Sequence, residues 1–504
     1  MSPFSSPKSK HISTLDSSQT SSPRYSTEDK LENGISTKTG LQSFLQNVTE
    51  AFESQLETKQ LLELSEGLQA QFREKLASSN MCMLPSYNHT LPTGMESGSY
   101  LALDVGGTNF RVALVNLSGS SMAEEGSKMR IVKMTTFKID SRVRALKGHD
   151  FFDWMAEGIE TVVNQPEVRE AHGDGIYAMG VAWSFPLEET SIRTGRLLAM
   201  GKGFSATHGV AGTDLTELIM RACSRKSLPV RMDAIINDGS ATLLSCAYTN
   251  PTTRFGLILG TGTNMSIILP VSALSPSKFA SRPAVWMQQA KHVLVNSEFS
   301  MFGNDLLPAT RWDAALNVAH PMPDFQPFEY RISGRYIGEL VRLVLLDAVK
   351  EAGLFGGDVP RGLEEAYVLD AGVLAAIDVD ADSTALSDAF PCIMTSEERQ
   401  LVQRVVQLIT RRAASLLAAG IHAMCQLRNS SEDKVPAKDA DVKERVAIGC
   451  NGSVIERYPD FRARTQRTLD ALMHGSQTVE LEIAVESAIY GAAVAVGCLE
   501  GIEG

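Results

Sequence analysis

Apolar residues recur at three- and four-residue intervals from Leu41 onward: Leu41, Phe44, Leu45, Val48, Phe52 and Leu56, then Leu61, Leu62, Leu64, Leu68 and Phe72, with acids and amides between them. That period predicts one or two amphipathic helices over residues 41–77, packed on a main body. The period then changes. Residues 100–105 and 111–117 are β-favouring runs flanking a Gly-Gly-Thr-Asn turn, which predicts a hairpin. Residues 131–139 alternate as a third antiparallel strand, 150–163 return to helical period, and 176–183 form a strand leading into Pro- and Gly-bearing loops. A helix over 213–223 precedes a strand over 231–236, which ends in Asn237-Asp238, and a helix from 241 follows. Residues 255–269 repeat the strand, glycine turn and strand, and the run from Val293 exits into a loop carrying Glu298. Long helices are expected over 329–354 and 397–427, an exposed polar loop over 428–443, a strand over 446–449 and a small-residue helix over 486–494.

The two hairpins decide the chemistry. A P-loop or dinucleotide fingerprint runs from its glycines into a helix, whereas Asp104-Val-Gly106-Gly107-Thr108-Asn109 is followed by Arg111 and alternating Val and Leu. Glycines still let a backbone close on phosphate oxygens, the Thr108 hydroxyl and free amides can donate to them, and Asp104 can hold a hydrated Mg²⁺. A ligand-free, Asp-initiated turn is the plain alternative. The second unit carries Gly260-Thr261-Gly262-Thr263-Asn264. Duplication predicts two related α/β halves, each offering one phosphate-binding turn to a shared cleft, with a hinge near 237–250. Gly201-Lys202-Gly203 is not a Walker lysine, because Gly follows Lys202 and no GxxxxGK spacing precedes it.

Composition narrows the class. The chain has 504 residues, 43% of them hydrophobic, enough for two globular domains with real cores. A formal charge of -12 and a pI near 5.4 argue against a nucleic-acid partner. Seven widely spaced cysteines without a CxxC fit reduced thiols, with neither disulfides nor structural zinc. No apolar run reaches a membrane span and no secretory signal is present. Residues 1–35, rich in Ser, Thr, Lys and Pro, read as a disordered tail, with a transit peptide as the other reading.

Seven motifs occur in one order: Asp104-Val-Gly-Gly-Thr-Asn109-Phe-Arg111, Ser184-Phe-Pro186 with Thr190-Ser-Ile, Gly201-Lys202-Gly203-Phe204, Asn237-Asp238, Gly260-Thr-Gly-Thr-Asn264, Asn296-Ser-Glu298, and Glu329-Tyr-Arg-Ile-Ser333-Gly334 with Gly338-Glu339. In that order they resemble the eukaryotic hexokinase family, in its divergent fungal branch, over residues 41–498. The resemblance implies an α/β, two-lobed actin-like (ribonuclease-H-like) fold with mixed sheets and an interdomain cleft, transferring the γ-phosphoryl of Mg-ATP to a hexose 6-hydroxyl. It implies a small N-terminal domain over 36–245 including the leading helices, and a large domain over 246–498 whose last helix returns to the small lobe. Asp238 would be the base and Lys202 would sit at the transferred phosphoryl. Ser184, Lys202, Asn237, Asp238, Asn264, Glu298 and Glu329 would bind the sugar. Asp104, Gly106, Gly107, Thr108, Asn109, Arg111, Gly260, Thr261, Gly262, Thr263, Gly452, Ser453 and Gly491 would face ATP, with Asp104 on Mg²⁺ through water. The chemistry agrees, since phosphoryl transfer needs positioning, charge neutralisation and one carboxylate to accept the alcohol proton. Read plainly, Asp238 is a helix N-cap, Lys202 a surface lysine, and Glu298 and Glu329 surface acids.

Four segments depart from the family pattern. Met200-Gly201 stands for Trp-Thr, removing an indole and a hydroxyl beside the sugar; at Gly239-Ser240 a hydroxyl is either lost or displaced by one residue; Asn451-Gly452-Ser453 stands for Asp-Gly-Thr; and Ser487-Ala-Ile-Tyr490-Gly491 keeps only the last glycine, so that either Cβ atoms crowd the nucleotide or Tyr490 packs against it. One reading is an active kinase retuned toward N-acetylglucosamine, then glucose. The other is a weakly active or inactive sugar-sensing regulator with protein partners on its Ser-Pro tail. A cytoplasmic location is expected, with mitochondrial or nuclear association open.

Overall fold

The computed structural model describes residues 27–119, 127–198, 200, 203–279, 282–432, 444–474 and 477–503. Strand β2 (Ser97–Val105) is central to a five-stranded sheet, and its alternation serves two cores: Leu101, Leu103 and Val105 face one, Tyr100 and Ala102 the other. A strand buried on both faces needs cover on both. The His149–Val163 and Leu215–Arg225 helices supply one cover and the C-terminal Ser487–Glu503 helix the other. Alanines 102, 113, 178, 182 and 234 make a flat floor for that last helix, and a Cβ on Gly180 would lie 2.2 Å from the Ala492 carbonyl oxygen.

β3 (Asn109–Ser118) and β4 (Met129–Lys138) run antiparallel to one side of β2, while β5 (Tyr177–Trp183) and β8 (Val230–Ile236) run parallel on the other, in the order β4-β3-β2-β5-β8. The second lobe repeats this plan. β9 (Thr253–Leu259), β10 (Thr263–Pro270) and β11 (His292–Asn296) form an antiparallel meander, and β12 (Glu444–Asn451) and β13 (Gln477–Ile483) continue it in parallel. The order is β11-β10-β9-β12-β13, with the short β1 (Leu84–Pro85) outside β11. The Asp238–Thr249 helix lies between the sheets and joins them.

Several expectations are corrected. The leading helices, Thr27–Glu53 and Thr58–Ser78, belong to the large lobe rather than the small one: Leu41, Phe44, Val48, Phe52, Leu61, Leu68 and Phe72 share a core with the Ser396–Ser431 and Gly334–Ala352 helices. The first of them begins at Thr27, inside the stretch read as a tail, of which residues 1–26 lie outside the described residues. The helix expected over 329–354 is two, Glu329–Ile332 and Gly334–Ala352, broken at Ser333 (φ −85, ψ 157), where the Gly334 N–H donates to the Gly260 carbonyl at 2.8 Å. The Ser396–Ser431 helix runs into the expected polar loop because Arg428 is buried and pairs with Glu444; residues 433–443 lie outside the described residues. The loop after β5 holds a hairpin, β6 (Leu187–Glu189) with β7 (Gly195–Leu197), whose strands are too short to show a period. No helix among the described residues is long and apolar enough to cross a membrane.

Candidate active site between the lobes

The first glycine turn closes as the Gly106 N–H donates to the Asn109 carbonyl (3.1 Å), with Thr108 and Asn109 exposed at its tip. Asp104 and Arg111 are cross-strand partners. Arg111 places Nε 2.8 Å and Nη2 2.6 Å from Asp104 Oδ2, and its Nη1 pairs with Glu486. Two carboxylates take up its charge, so Arg111 braces Asp104 and is not directed at phosphate as expected. Burial pushes the Asp104 carboxyl above its ordinary range, Arg111 pulls it back, and the charges of Asp238 and Glu486 add to the upward push. Two carboxylates in one field are an arrangement that a hydrated divalent cation relieves. Asp104 would hold such an ion through its water, as a lone carboxylate holds Mg²⁺.

The second turn is nested among backbones. Gly260 N–H donates to the Gly262 carbonyl (2.9 Å), and Ser333 Oγ donates to the Thr261 carbonyl (2.9 Å). A Cβ on Gly262 would meet Glu329 Oε2 at 2.6 Å, one on Gly260 the Ser453 nitrogen at 3.3 Å, and one on Gly452, whose φ is +119, the Leu259 carbonyl at 2.4 Å. Gly260, Thr261, Gly262, Gly452 and Ser453 thus meet at one place. Thr263 is committed elsewhere: its N–H donates to Glu329 Oε2 (2.9 Å) and its hydroxyl to the Ile258 carbonyl (3.0 Å). Gly491 is also misplaced by the sequence reading. It lies where the C-terminal helix crosses the Asp238–Thr249 helix, a Cβ there falling 2.0 Å from the Ala241 carbonyl oxygen. Tyr490 packs toward Ile131 in the small lobe, not toward a nucleotide.

The acids and amides converge beside this turn. Asn237 caps the helix, its Oδ1 accepting from the Gly239 N–H at 2.9 Å, so Asp238 is the first helical residue and not the cap. Asn264 Nδ2 donates to Asn296 Oδ1 (2.9 Å) and at longer range to Asn237 Oδ1 (3.5 Å), while its Oδ1 accepts from the Met265 and Phe299 N–H groups. Asn296 in turn donates to Glu298 Oε1 at 2.8 Å. Asn264 is therefore a keystone with its hydrogen-bonding capacity in use. Ser184 follows β5 in the small lobe, its N–H donating to the Val105 carbonyl at the end of β2 (3.2 Å). The hydroxyl of Ser240 does not replace the lost one: it is buried and donates to Ser266 Oγ at 3.0 Å, and a Cβ on Gly239 would crowd that same Ser266 Oγ at 2.9 Å.

Gly201 and Lys202 lie outside the described residues. Beside them, Met200 is buried in the small-lobe core. Phe204 packs edge-on against Phe185 and Phe151. Two arginines escaped the sequence reading. Arg144 Nη2 donates to the Gly107 carbonyl (3.0 Å) and its own carbonyl accepts from the Ser205 N–H (2.8 Å), tying the first turn to the segment after Lys202. Arg335 lies exposed beside the second turn, its N–H on the Thr261 carbonyl (3.4 Å) and its guanidinium over the Tyr367 ring. Nothing in their local sequence marks either; contact across the fold does.

The β6–β7 hairpin spans the lobes. Leu187 and Leu197 enter the small-lobe core, whereas Ile192 at its tip packs against the large-lobe core. Glu189 Oε2 accepts from the Tyr87 N–H (3.3 Å), and Arg282 stacks on the Tyr87 ring while donating to the Pro85 and Ser86 carbonyls.

Two lobes with one repeated strand order, paired glycine turns and an acid-amide cluster at the start of the joining helix define a two-lobed, actin-like sugar kinase. Two family models described as Hexokinase match residues 45–248 and 254–498. The chain belongs to the hexokinase family and is a hexose kinase. It is 32% identical over 401 residues to Hexokinase-1 of Saccharomyces cerevisiae, covering 77% of each chain. It is also 32% identical over 449 residues to Hexokinase-2 of Oryza sativa subsp. japonica, covering 86% of this chain and 87% of that one. The solved Schistosoma mansoni hexokinase, complexed with glucose, superposes with a TM-score of 0.77 at 26% identity over 92% of this chain and 100% of that one.

Proposed function

We propose that the enzyme moves the γ-phosphoryl of Mg-ATP to the 6-hydroxyl of N-acetylglucosamine in preference to glucose. The observation that carries the transfer reading is Asp238 at the first helical position, among Asn237, Asn264, Glu298 and Glu329 and within the field of Asp104. Asp238 accepts the 6-hydroxyl proton as oxygen bonds to phosphorus and ADP leaves. Lys202 neutralises charge on the transferred group, the two glycine turns hold the phosphates, and Arg335 adds an exposed cation beside the second turn. Mg²⁺, when bound near Asp104 through water, supplies charge neutralisation between the phosphates. Acids and amides around the sugar give each buried hydroxyl a directed partner.

The preference rests on the segment before Lys202. Met200 turns into the core and Gly201 carries no side chain, so neither brings bulk to the sugar wall. An acetamido group filling that space gains on the order of 1 to 2 kcal/mol, about ten- to thirtyfold. ADP release measured with glucose, fructose, mannose, glucosamine and N-acetylglucosamine tests this: kcat/KM is highest for N-acetylglucosamine, and Gly201→Thr narrows the gap. A higher value for glucose removes the preference. The buried Ser240 hydroxyl favours the regulator reading instead, which takes over if no sugar supports ADP release while one raises Tm. Regulatory partners of the Ser-Pro tail belong to that reading, and most of that segment lies outside the described residues.

A further inference from the structure

Asn296, the last residue of β11, touches both Asn264 and Glu298, and it does so with a fixed sense. Its Oδ1 accepts from Asn264 Nδ2 (2.9 Å) and from the Glu298 N–H (3.4 Å), and its Nδ2 donates to Glu298 Oε1 (2.8 Å). Asn264 Oδ1 is held by two backbone N–H groups, so its amino group points at Asn296, and Asn296 must present its carbonyl there and its amino group to the carboxylate. Glu298 itself adopts the left-handed region (φ 52, ψ 51), a conformation that a residue with a Cβ holds only when its surroundings impose it. Aspartate at 296 has no donor, serine is too short and alanine has neither group.

We propose that Asn296 is a positioning residue for the acceptor sugar, fixing the plane of the Glu298 carboxylate through a one-way chain of amide hydrogen bonds from Asn264. It acts through Glu298, and so rests on the reading of Glu298 as a sugar ligand. A carboxylate free to rotate offers a sugar hydroxyl no fixed lone pair, and the loss of one charge-assisted, directed hydrogen bond reads as on the order of ten- to hundredfold in affinity.

The test uses the full chain, with Kd for N-acetylglucosamine and for glucose measured by calorimetry, KM for both substrates, and Tm. Asn296→Ala and the isosteric Asn296→Asp are each expected to weaken sugar Kd by at least about tenfold, with KM for ATP within about twofold of wild type. In the double variant with Glu298→Ala, Asn296→Ala adds nothing to the loss caused by Glu298→Ala alone. A purely structural residue would instead lower Tm, disturb both substrates and contribute independently in the double variant. Sugar Kd within about twofold of wild type in both single variants overturns the proposal, as does a multiplicative double variant. If Glu298→Ala leaves sugar Kd unchanged, the ligand reading of Glu298 falls and this proposal falls with it, while the kinase assignment stands. Should Asn296→Ala fail to fold, Asn296→Asp, which keeps size and shape, decides.

Discussion

At Asp238 a strand stops and a helix starts; Asn237 caps that helix, and the Gly239 N–H is shared between Asn237 Oδ1 (2.9 Å) and Asp238 Oδ1 (2.7 Å). Asp238→Ala is expected to abolish sugar-dependent ADP formation while leaving sugar Kd within about tenfold, because proton acceptance matters to the transition state more than to the ground state. Near-normal turnover in that variant rules out Asp238 as the base. Gly491 gives the contrasting case. Gly491→Ala drives a Cβ into the Ala241 carbonyl and is expected to cost about 1 to 3 kcal/mol of stability, seen in thermal denaturation, with KM for ATP unchanged. A raised KM with unchanged Tm would return Gly491 to the nucleotide. The two residues show what a local sequence carries. A glycine announces that something comes close, not whether that thing is a phosphate or a helix: Gly491 lies against the Ala241 backbone of a crossing helix, and Gly260 and Gly452 lie against each other's turns. The Asn264, Asn296 and Glu298 chain joins residues from separate strands, and its hydrogen bonds exist only once β10 and β11 are paired.

The hairpins at 104 to 111 and 259 to 263 were legible because alternation and turn chemistry are both local. The β6–β7 hairpin was not, since three-residue strands show no period, yet it touches both lobes. Burial pushes the docked Glu189 carboxyl up to about 7, against the pull of Arg282 and the Tyr87 N–H. Arg282 stays charged and the neighbouring His89 is held below its usual range by burial, which leaves Glu189 as the group of the three raised into the range between pH 6 and 8. With the docked pKa raised, docking contributes fully below the ordinary value of 4.5 and is lost as pH rises through about 7. Sugar affinity should accordingly weaken from pH 6 to pH 8 in the wild type and vary less in Glu189→Gln. A flat wild-type profile would show that the hairpin does not report on closure.

Across the whole molecule the proposed sugar ligands come from both lobes, so sugar should draw the lobes together and small-angle scattering should show compaction on saturation. An unchanged radius of gyration with a bound sugar would remove that picture. Two related α/β halves were legible from the repeated hairpin, but the destination of the leading helices was not: an amphipathic period says that one face is buried without saying against what. The same fact has a consequence for synthesis. Phe72 waits for Leu416 and its neighbours on the Ser396–Ser431 helix, and Ala102 waits for Ala492 at the far end of the chain. At the ribosome's pace of roughly 5–20 residues per second, both faces stand uncovered for on the order of tens of seconds. The large-lobe core joins residues 41–87 to residues 255–481, and one face of the small-lobe sheet is covered by residues 488–496 of the last helix, so the nascent chain should depend on a holding chaperone until that helix emerges, and the halves 27–249 and 250–503 should be soluble only when made together.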